Sequence, residues 1–269
     1  MAETRIGISG CGGRMGRMLV AEVAATEGCR LAGGLEAERS PFLGQDIGTP
    51  AGIGTTGLAA SSDIAALFAA SDVVIDFSTP AASLAHARVA AGANKALVVG
   101  TTGLDAAGHQ ALRDAAKNAP ILWAPNMSLG VNLLLTLVAT AAQRLGPDYD
   151  IEILEMHHRH KIDAPSGTAL ALGEAAASGR GIDLTAHSQR VRDGITGPRQ
   201  RGDIGFATLR GGDNAGEHHV IFAAEGEQLE LSHRATSRRI FARGAVAAAR
   251  FLAGKPPGLY GMKDVLGLG

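Results

Sequence analysis

The densest set of reactive side chains runs Glu155-Met156-His157-His158-Arg159-His160-Lys161-Ile162-Asp163-Ala164-Pro165-Ser166-Gly167-Thr168-Ala169-Leu170. Three of the chain's nine histidines fall within four residues of it. Imidazole titrates near neutral pH and is the natural proton donor there. A lysine beside it binds a carboxylate or, with a depressed pKa, delivers a proton. The run from Asp163 to Thr168 reads as a helix start, whose free N–H groups hold an anion. This chemistry suits a small anionic substrate, one with more than one carboxylate included. A competing reading is a metal site, since these histidines and Glu155 are ligand types. Adjacent strand residues point to opposite faces, so His157 and His158 do not easily share an ion. Only His158 and His160 face the same way, and His218 and His219 stand isolated, so no metal is expected. The blander readings are a solvated polar loop and, for some of these residues, an oligomer contact.

A second motif lies near the start, where Gly10, Cys11, Gly12, Gly13, Arg14, Met15 and Gly16 follow a short apolar run. Gly10 allows a tight turn, and Gly12 and Gly13 let backbone N–H groups approach a pyrophosphate. Gly16 permits close helix–strand packing, and the helix N-terminus faces the phosphate charge. Glu36 ends the next strand, 20 residues past Gly16. Its carboxylate can accept hydrogen bonds from the adenine ribose hydroxyls. Arg14 could approach phosphate or adenine, or be a solvated charge. Cys11 reads as a small filler rather than a nucleophile. Two further turns, Gly100-Thr101-Thr102-Gly103 and Ala124-Pro125-Asn126-Met127, follow strands on the edge where doubly wound sheets bind ligands. They suit a nicotinamide and its ribose, and on spacing alone are equally well ordinary turns.

The elements that must position these groups alternate in the first half. Strands are expected at residues 4–9, 31–35, 72–77, 96–99 and 121–124. Helices are expected at 14–27, 80–91 (with Gly92 after its end) and 105–117. That βαβα order predicts a Rossmann-type, doubly wound parallel sheet in an α/β fold. After about Met127 the pattern changes. A helix at 129–145, a strand at 150–156 and a helix from near Pro165 to about Ser178 are followed by polar loop over 179–202, with one short strand around Arg190. Strands at 205–210, 218–223 and 228–233 then follow without helices between them, so a second α+β unit with a mixed or antiparallel sheet is expected. A last helix spans 237–252, ended by Gly254-Lys255-Pro256-Pro257.

Composition narrows the class. The chain has 269 residues, enough for one large or two modest domains. A formal net charge of −1 and only 4% aromatic residues argue against nucleic acid, which calls for a basic face or stacking aromatics. The greasy stretch at 129–142 reads as too short and polar to span a bilayer, so no membrane is expected. No signal peptide is visible in MAETRIGIS, and two cysteines make no disulfide framework. A cytoplasmic location is expected.

In order along the chain, GISGCGGRMG, DVVIDFSTP, VVGTTG, APNMSLGVN, EILEMHHRHKIDAPSGTAL and GEHHVIFAAEGEQLELSHRATSR resemble the pattern of the dihydrodipicolinate (4-hydroxy-tetrahydrodipicolinate) reductases. The resemblance covers essentially the whole chain, and the HHRHKIDAPSGTAL block is its most specific part. It implies reduction of 4-hydroxy-tetrahydrodipicolinate to tetrahydrodipicolinate with NADH or NADPH, in the diaminopimelate pathway to lysine. By that resemblance, the cofactor contacts fall on Gly10, Cys11, Gly12, Gly13, Arg14 and Met15, on Glu36, on Gly100, Thr101 and Thr102, and on Ala124, Pro125, Asn126 and Met127. The catalytic proton carriers fall on His157 and Lys161, and the substrate contacts on His158, Gly167 and Thr168. It further implies a discontinuous dinucleotide-binding domain of residues 1–127 and 237–269. Residues 128–236 would form a substrate-binding domain that builds a homotetramer. One position departs from the pattern. Members that use NADPH well often carry Arg after the ribose carboxylate, and here Ala37 stands there. NADH preference or dual use is therefore expected.

Overall fold

Val73–Asp76 and Ala96–Val99 are buried at every residue, as strands covered by helices on both faces must be. The computed structural model describes residues 3–268. In chain order the elements are β1 (Thr4–Ser9), α1 (Arg14–Ala25), β2 (Cys29–Leu35), α2 (Gly48–Ala51), β3 (Ala60–Ser61), α3 (Ile64–Ala70), β4 (Val73–Asp76), α4 (Pro80–Ala93), β5 (Ala96–Val99), α5 (Ala106–Ala115) and β6 (Pro120–Trp123). There follow α6 (Leu129–Leu145), a 3-10 turn (Gly146–Asp148), β7 (Asp150–His157), α7 (Gly167–Arg180), α8 (Leu184–His187), β8 (Ser188–Gln189), β9 (Ile204–Arg210), β10 (Glu217–Ala224) and β11 (Glu227–Arg234). The chain closes with α9 (Arg239–Leu252), β12 (Gly258–Tyr260) and α10 (Met262–Val265).

These elements form two units. One takes the chain up to Ser128 and again from Arg239, and the other is Leu129–Arg238. The first holds a seven-stranded sheet in the order β12-β6-β5-β4-β1-β2-β3, with every neighbouring pair parallel. This is the expected doubly wound α/β sheet. Leu67, Phe68, Val74, Leu97, Leu112 and Ile121 fill one face of it. On the other, α9 packs on α1, β4 and β5. Glu22 of α1, buried, pairs with Arg239 Nε at 2.5 Å. Gly244 of α9 lies so close to residue 127 that a Cβ there would stand 1.6 Å from the Met127 carbonyl oxygen.

The second unit holds a mixed sheet in the order β11-β10-β7-β9-β8. β10 runs antiparallel to β7 and β11, while β7, β9 and β8 are parallel. The inner face of β7 begins with Ile151 and Ile153, which join Leu134, Val138, Leu172 and Phe222 in a core under α6 and α7. Fully burying each such side chain contributes about 1.5–3 kcal/mol. The same face of β7 continues with Glu155 and His157, because strand residues two apart share a face.

Several expected boundaries move. Residues 48–70, left unassigned by pattern, contain α2, β3 and α3. α4 runs through Gly92 and ends at Asn94, which takes the left-handed conformation at φ 49° and caps the helix. The helix expected near Pro165 starts at Gly167, because the Ser166 hydroxyl accepts the Ala169 N–H and caps it. The polar segment 179–202 carries α8, capped by Asp183, and the short strand there sits at Ser188–Gln189. The chain-end strand β12 was not expected. Leu129–Asp148, 20 residues, is by length and composition alone enough to cross a membrane, against the shorter, more polar reading of that stretch. Its Leu134, Val138 and Ala142 nevertheless pack inward in the core of their unit.

Candidate active site

The glycine loop has the geometry its residues dictate. Gly10 sits at φ +72°, and a Cβ at Gly16 would stand 1.9 Å from the Gly10 carbonyl oxygen. Only glycine lets α1 start this close beneath the loop. A cavity of about 530 Å³ opens beside it, lined by Gly10, Gly13, Glu36, Ala37, Thr79 and His86 among others. Glu36 Oε1 accepts the Gly12 N–H at 2.6 Å. Cys11 and Gly12 lie away from this cavity, under Phe42 and Ile47. Burial, and next Glu36, push the Cys11 thiol up to about 12, so it stays protonated, as a filler does. Arg14 is exposed at the helix start and Met15 is half-buried.

The cavity is also walled by Phe77, Ser78, Thr79 and His86, which the sequence reading did not single out. Asp76, buried at the end of β4, accepts the Ser78 N–H and bonds His86 Nδ1 at 2.9 Å. That pair holds α4 against the cavity wall. The DFSTP turn could have been found by the rule that pointed to the other strand ends. The two other turns do not line this cavity. Gly100 backs onto the Phe77 ring, which a Cβ there would overlap at 2.2 Å. Thr101 is buried, and its hydroxyl accepts from Ser83 Oγ at 2.8 Å, whereas Thr102 is exposed. Ala124 and Met127 are buried, Pro125 is exposed, and the Asn126 side chain accepts the Ser128 N–H at 2.9 Å.

In the second unit the sheet register assembles a buried polar cluster. Glu155 stands opposite His218 on β10 and Thr208 on β9, and His157 opposite Arg210. Glu155, 1% exposed, bonds His157 Nδ1 at 2.6 Å. It also accepts Arg210 Nη1 and Nη2 at 2.8 and 2.9 Å and the Ser166 N–H at 3.0 Å. Burial pushes the Glu155 carboxyl up, but Arg210, His157 and the Ser166 amide outweigh it and hold it below its ordinary range. Burial, helped by the Lys161 and Arg210 charges, pushes His157 down despite the lift from Glu155. The His218 ring meets that of His157 edge-on at 5.1 Å. Its Nε2 lies 3.2 Å from Ser166 Oγ, and burial lowers it to about 4. The expectation that His218 is isolated was therefore wrong, because register rather than sequence distance brings it in. Arg210 was missed, and Glu155, Ser166 and His218, though noted, were not expected to meet in one cluster. The one local signal was Glu155 two residues before His157 on a strand.

Lys161 Nζ donates to both oxygens of Asp163 at 2.7 and 2.9 Å. Its charge reaches His157, whose pKa it lowers. His158 points the other way from His157, its Nε2 lying 3.4 Å from Arg238 Nη2. It lines a cavity of about 700 Å³ with Arg159, His160, Gly212, Asp213 and Arg238. Gly167 and Thr168 form the first turn of α7, and Gly167 faces open space. Among the described residues, no group of three or more His, Cys, Asp or Glu side chains is arranged to hold a metal ion.

A Rossmann-type sheet with a glycine loop, joined to an α+β unit carrying a buried imidazole–carboxylate pair, is the build of a two-domain nicotinamide-dependent oxidoreductase. The sequence patterns described as dihydrodipicolinate reductase, N-terminus and C-terminus, match residues 4–127 and 130–266. A protein of Parvibaculum lavamentivorans named 4-hydroxy-tetrahydrodipicolinate reductase is 56% identical over 268 residues, 99% of each chain. One of Brucella abortus with the same name is 57% identical over 262 residues, 97% of this chain and 98% of that one. The dipicolinate-bound dihydrodipicolinate reductase of Paenisporosarcina sp. TG-14 superposes with a TM-score of 0.79 at 24% identity, covering 97% of this chain and 99% of that one. The chain belongs to the dihydrodipicolinate reductase family.

Proposed function

We propose that the chain reduces 4-hydroxy-tetrahydrodipicolinate to tetrahydrodipicolinate with NADH or NADPH, in the diaminopimelate route to lysine. The observation that carries the reading is the His157–Glu155 pair, set in the register of a strand that leads into the capped N-terminus of α7. The residues around the first cavity fit a dinucleotide, since a Cβ at Gly16 would push α1 away from the loop that must approach phosphate. The 4-hydroxyl leaves as water, and the reduced nicotinamide, when bound, supplies the hydride that adds at the same carbon. Gly167 and Thr168 at the start of α7, with His158, hold the substrate's carboxylates, where helix N–H groups favour negative charge. His157 and Lys161 supply the proton the reduced ring needs. Residues up to Ser128 and from Arg239 bind the cofactor, and Leu129–Arg238 binds the substrate.

Glu36 and Glu38 both line the first cavity, and Ala37 between them carries no charge to meet a 2′-phosphate. That supports NADH preference or dual use. On the sheet of the second unit, Leu154, Met156, Leu209 and Ile221 share the face turned away from the buried core, by their pairing in register. The same face also carries Glu152, Glu217 and His219, and its apolar side chains between them support assembly into a homotetramer. A biosynthetic reductase of this kind works in the cytoplasm.

The test combines enzyme, reduced nicotinamide and freshly made condensation product of aspartate semialdehyde and pyruvate. Loss of nicotinamide absorbance is expected. No loss with either cofactor overturns the reading. The double variant His157→Gln, Lys161→Met is expected to lose at least about 100-fold in kcat, and near wild-type turnover would remove both residues from the mechanism.

A further inference from the structure

We propose that Glu155 is a positioning residue, which fixes His157 with its ring proton on Nδ1, keeps Nε2 as the proton-exchanging atom and ties that ring to the N-terminus of α7. The inference rests on the reading of His157 as a proton carrier.

Glu155 is almost wholly buried, so its charge must be met by donors. Arg210 meets it with two nitrogens and Ser166 with its N–H. An ionised carboxylate only accepts, so the hydrogen of the 2.6 Å contact belongs to His157 Nδ1. Nε2 then carries the lone pair in the neutral ring and the exchangeable proton in the charged one. That atom faces Gly216, where a Cβ would come within 3.0 Å of it. Glycine there keeps a side chain from crowding Nε2, although the ring as a whole is buried.

The same carboxylate has a second duty. Ser166 gives its N–H to Glu155 and its hydroxyl caps α7 at Ala169. The imidazole and the helix start that favours anions are therefore braced by one group, and small errors in such placement cost large factors in rate. The charged or titratable groups facing His157 are Glu155 on its own strand, Arg210 from β9, His218 from β10 and Lys161 from the loop after β7. Glu155 raises the affinity of His157 for a proton, whereas Arg210 lowers it. Their removal has opposite signs, which a merely structural role does not produce.

The test uses the full chain labelled with ¹⁵N-histidine. NMR reads the tautomer and titration of His157, alongside the pH profile of kcat/KM. Glu155→Gln is expected to move the His157 titration to lower pH, to mix its tautomers and to lower kcat about 100-fold, with the Kd for reduced nicotinamide unchanged. Arg210→Gln is expected to move the titration to higher pH and decides the matter alone if the first variant does not fold. Titrations that stay in place, or that move the same way in both variants, overturn the proposal. If His157→Gln retains turnover, His157 is not the proton carrier, but the opposed NMR shifts still read the positioning separately.

Discussion

Gly12 donates its backbone N–H to Glu36 Oε1 at 2.6 Å, so the carboxylate expected to meet the adenine ribose also braces the phosphate loop. Glu36→Gln keeps an acceptor for Gly12 and removes the charge that repels a 2′-phosphate. Adding Ala37→Arg supplies a cation beside it. The ratio of NADPH to NADH affinity is expected to rise about 10-fold, or 1.4 kcal/mol, by fluorescence titration of each reduced cofactor. An unchanged ratio would place the selecting groups elsewhere.

Close packing of α9 against Met127 predicts a strong steric effect. In Gly244→Ala the new methyl would stand 1.6 Å from the Met127 carbonyl oxygen. Backbone must move, and a loss of about 1–3 kcal/mol is expected in urea denaturation. Gly92→Ala, on the open side of α4 with nothing within 4 Å of a Cβ, is the matched control. It is expected to stabilise by about 0.5–1 kcal/mol.

His218 makes stability depend on pH. Burial lowers it from its ordinary 6.5 to about 4, so the unfolded chain takes up a proton first as pH falls. Its contribution is intact above about pH 6.5 and is lost as pH falls towards 4. A lowering from 6.5 to about 4 corresponds to about 3 kcal/mol. Thermal melting at pH 7 and pH 4.5 is expected to show a larger drop in the wild type than in His218→Phe. Equal drops would mean that other groups govern acid stability in this range.

Ser166 caps α7 and also meets His218. Ser166→Ala is expected to cost about 0.5–2 kcal/mol, measured by chemical denaturation, whereas Ser166→Asp keeps a capping oxygen and loses less of the cap. A neutral result in Ser166→Ala would show that the Glu155 contact to the backbone N–H suffices to hold the helix start.

The glycine loop, the parallel strands and the His157 to Thr168 block were legible because each is a local pattern. Gly16 must be small for a reason visible in the strand–loop–helix order alone. What escaped was short or assembled at a distance. α2, α8 and α10 have four residues each, too few to show a helical period, and rest on their neighbours. Asn94 took the cap that Gly92 was expected to supply, because local propensity does not fix which of two permissive residues turns left-handed. Arg210 and His218 reach Glu155 only through strand register, across 55 and 63 residues of chain. No spacing rule within one segment reports that.

The return of α9 to the first unit also sets an order of assembly during synthesis. Tyr260, at the end of β12, follows Ser128 by 132 residues. At ribosomal speeds of about 5–20 residues per second that interval is roughly 7–26 s. Through it the nascent chain carries β6 as an uncovered sheet edge, since β12 does not yet exist. The groove at Met127 that receives Gly244 is likewise open. The continuous segment Leu129–Arg238 has all its strands before β12 is made. For that interval the chain's exposure to edge-to-edge aggregation is a property of translation rate rather than of native stability.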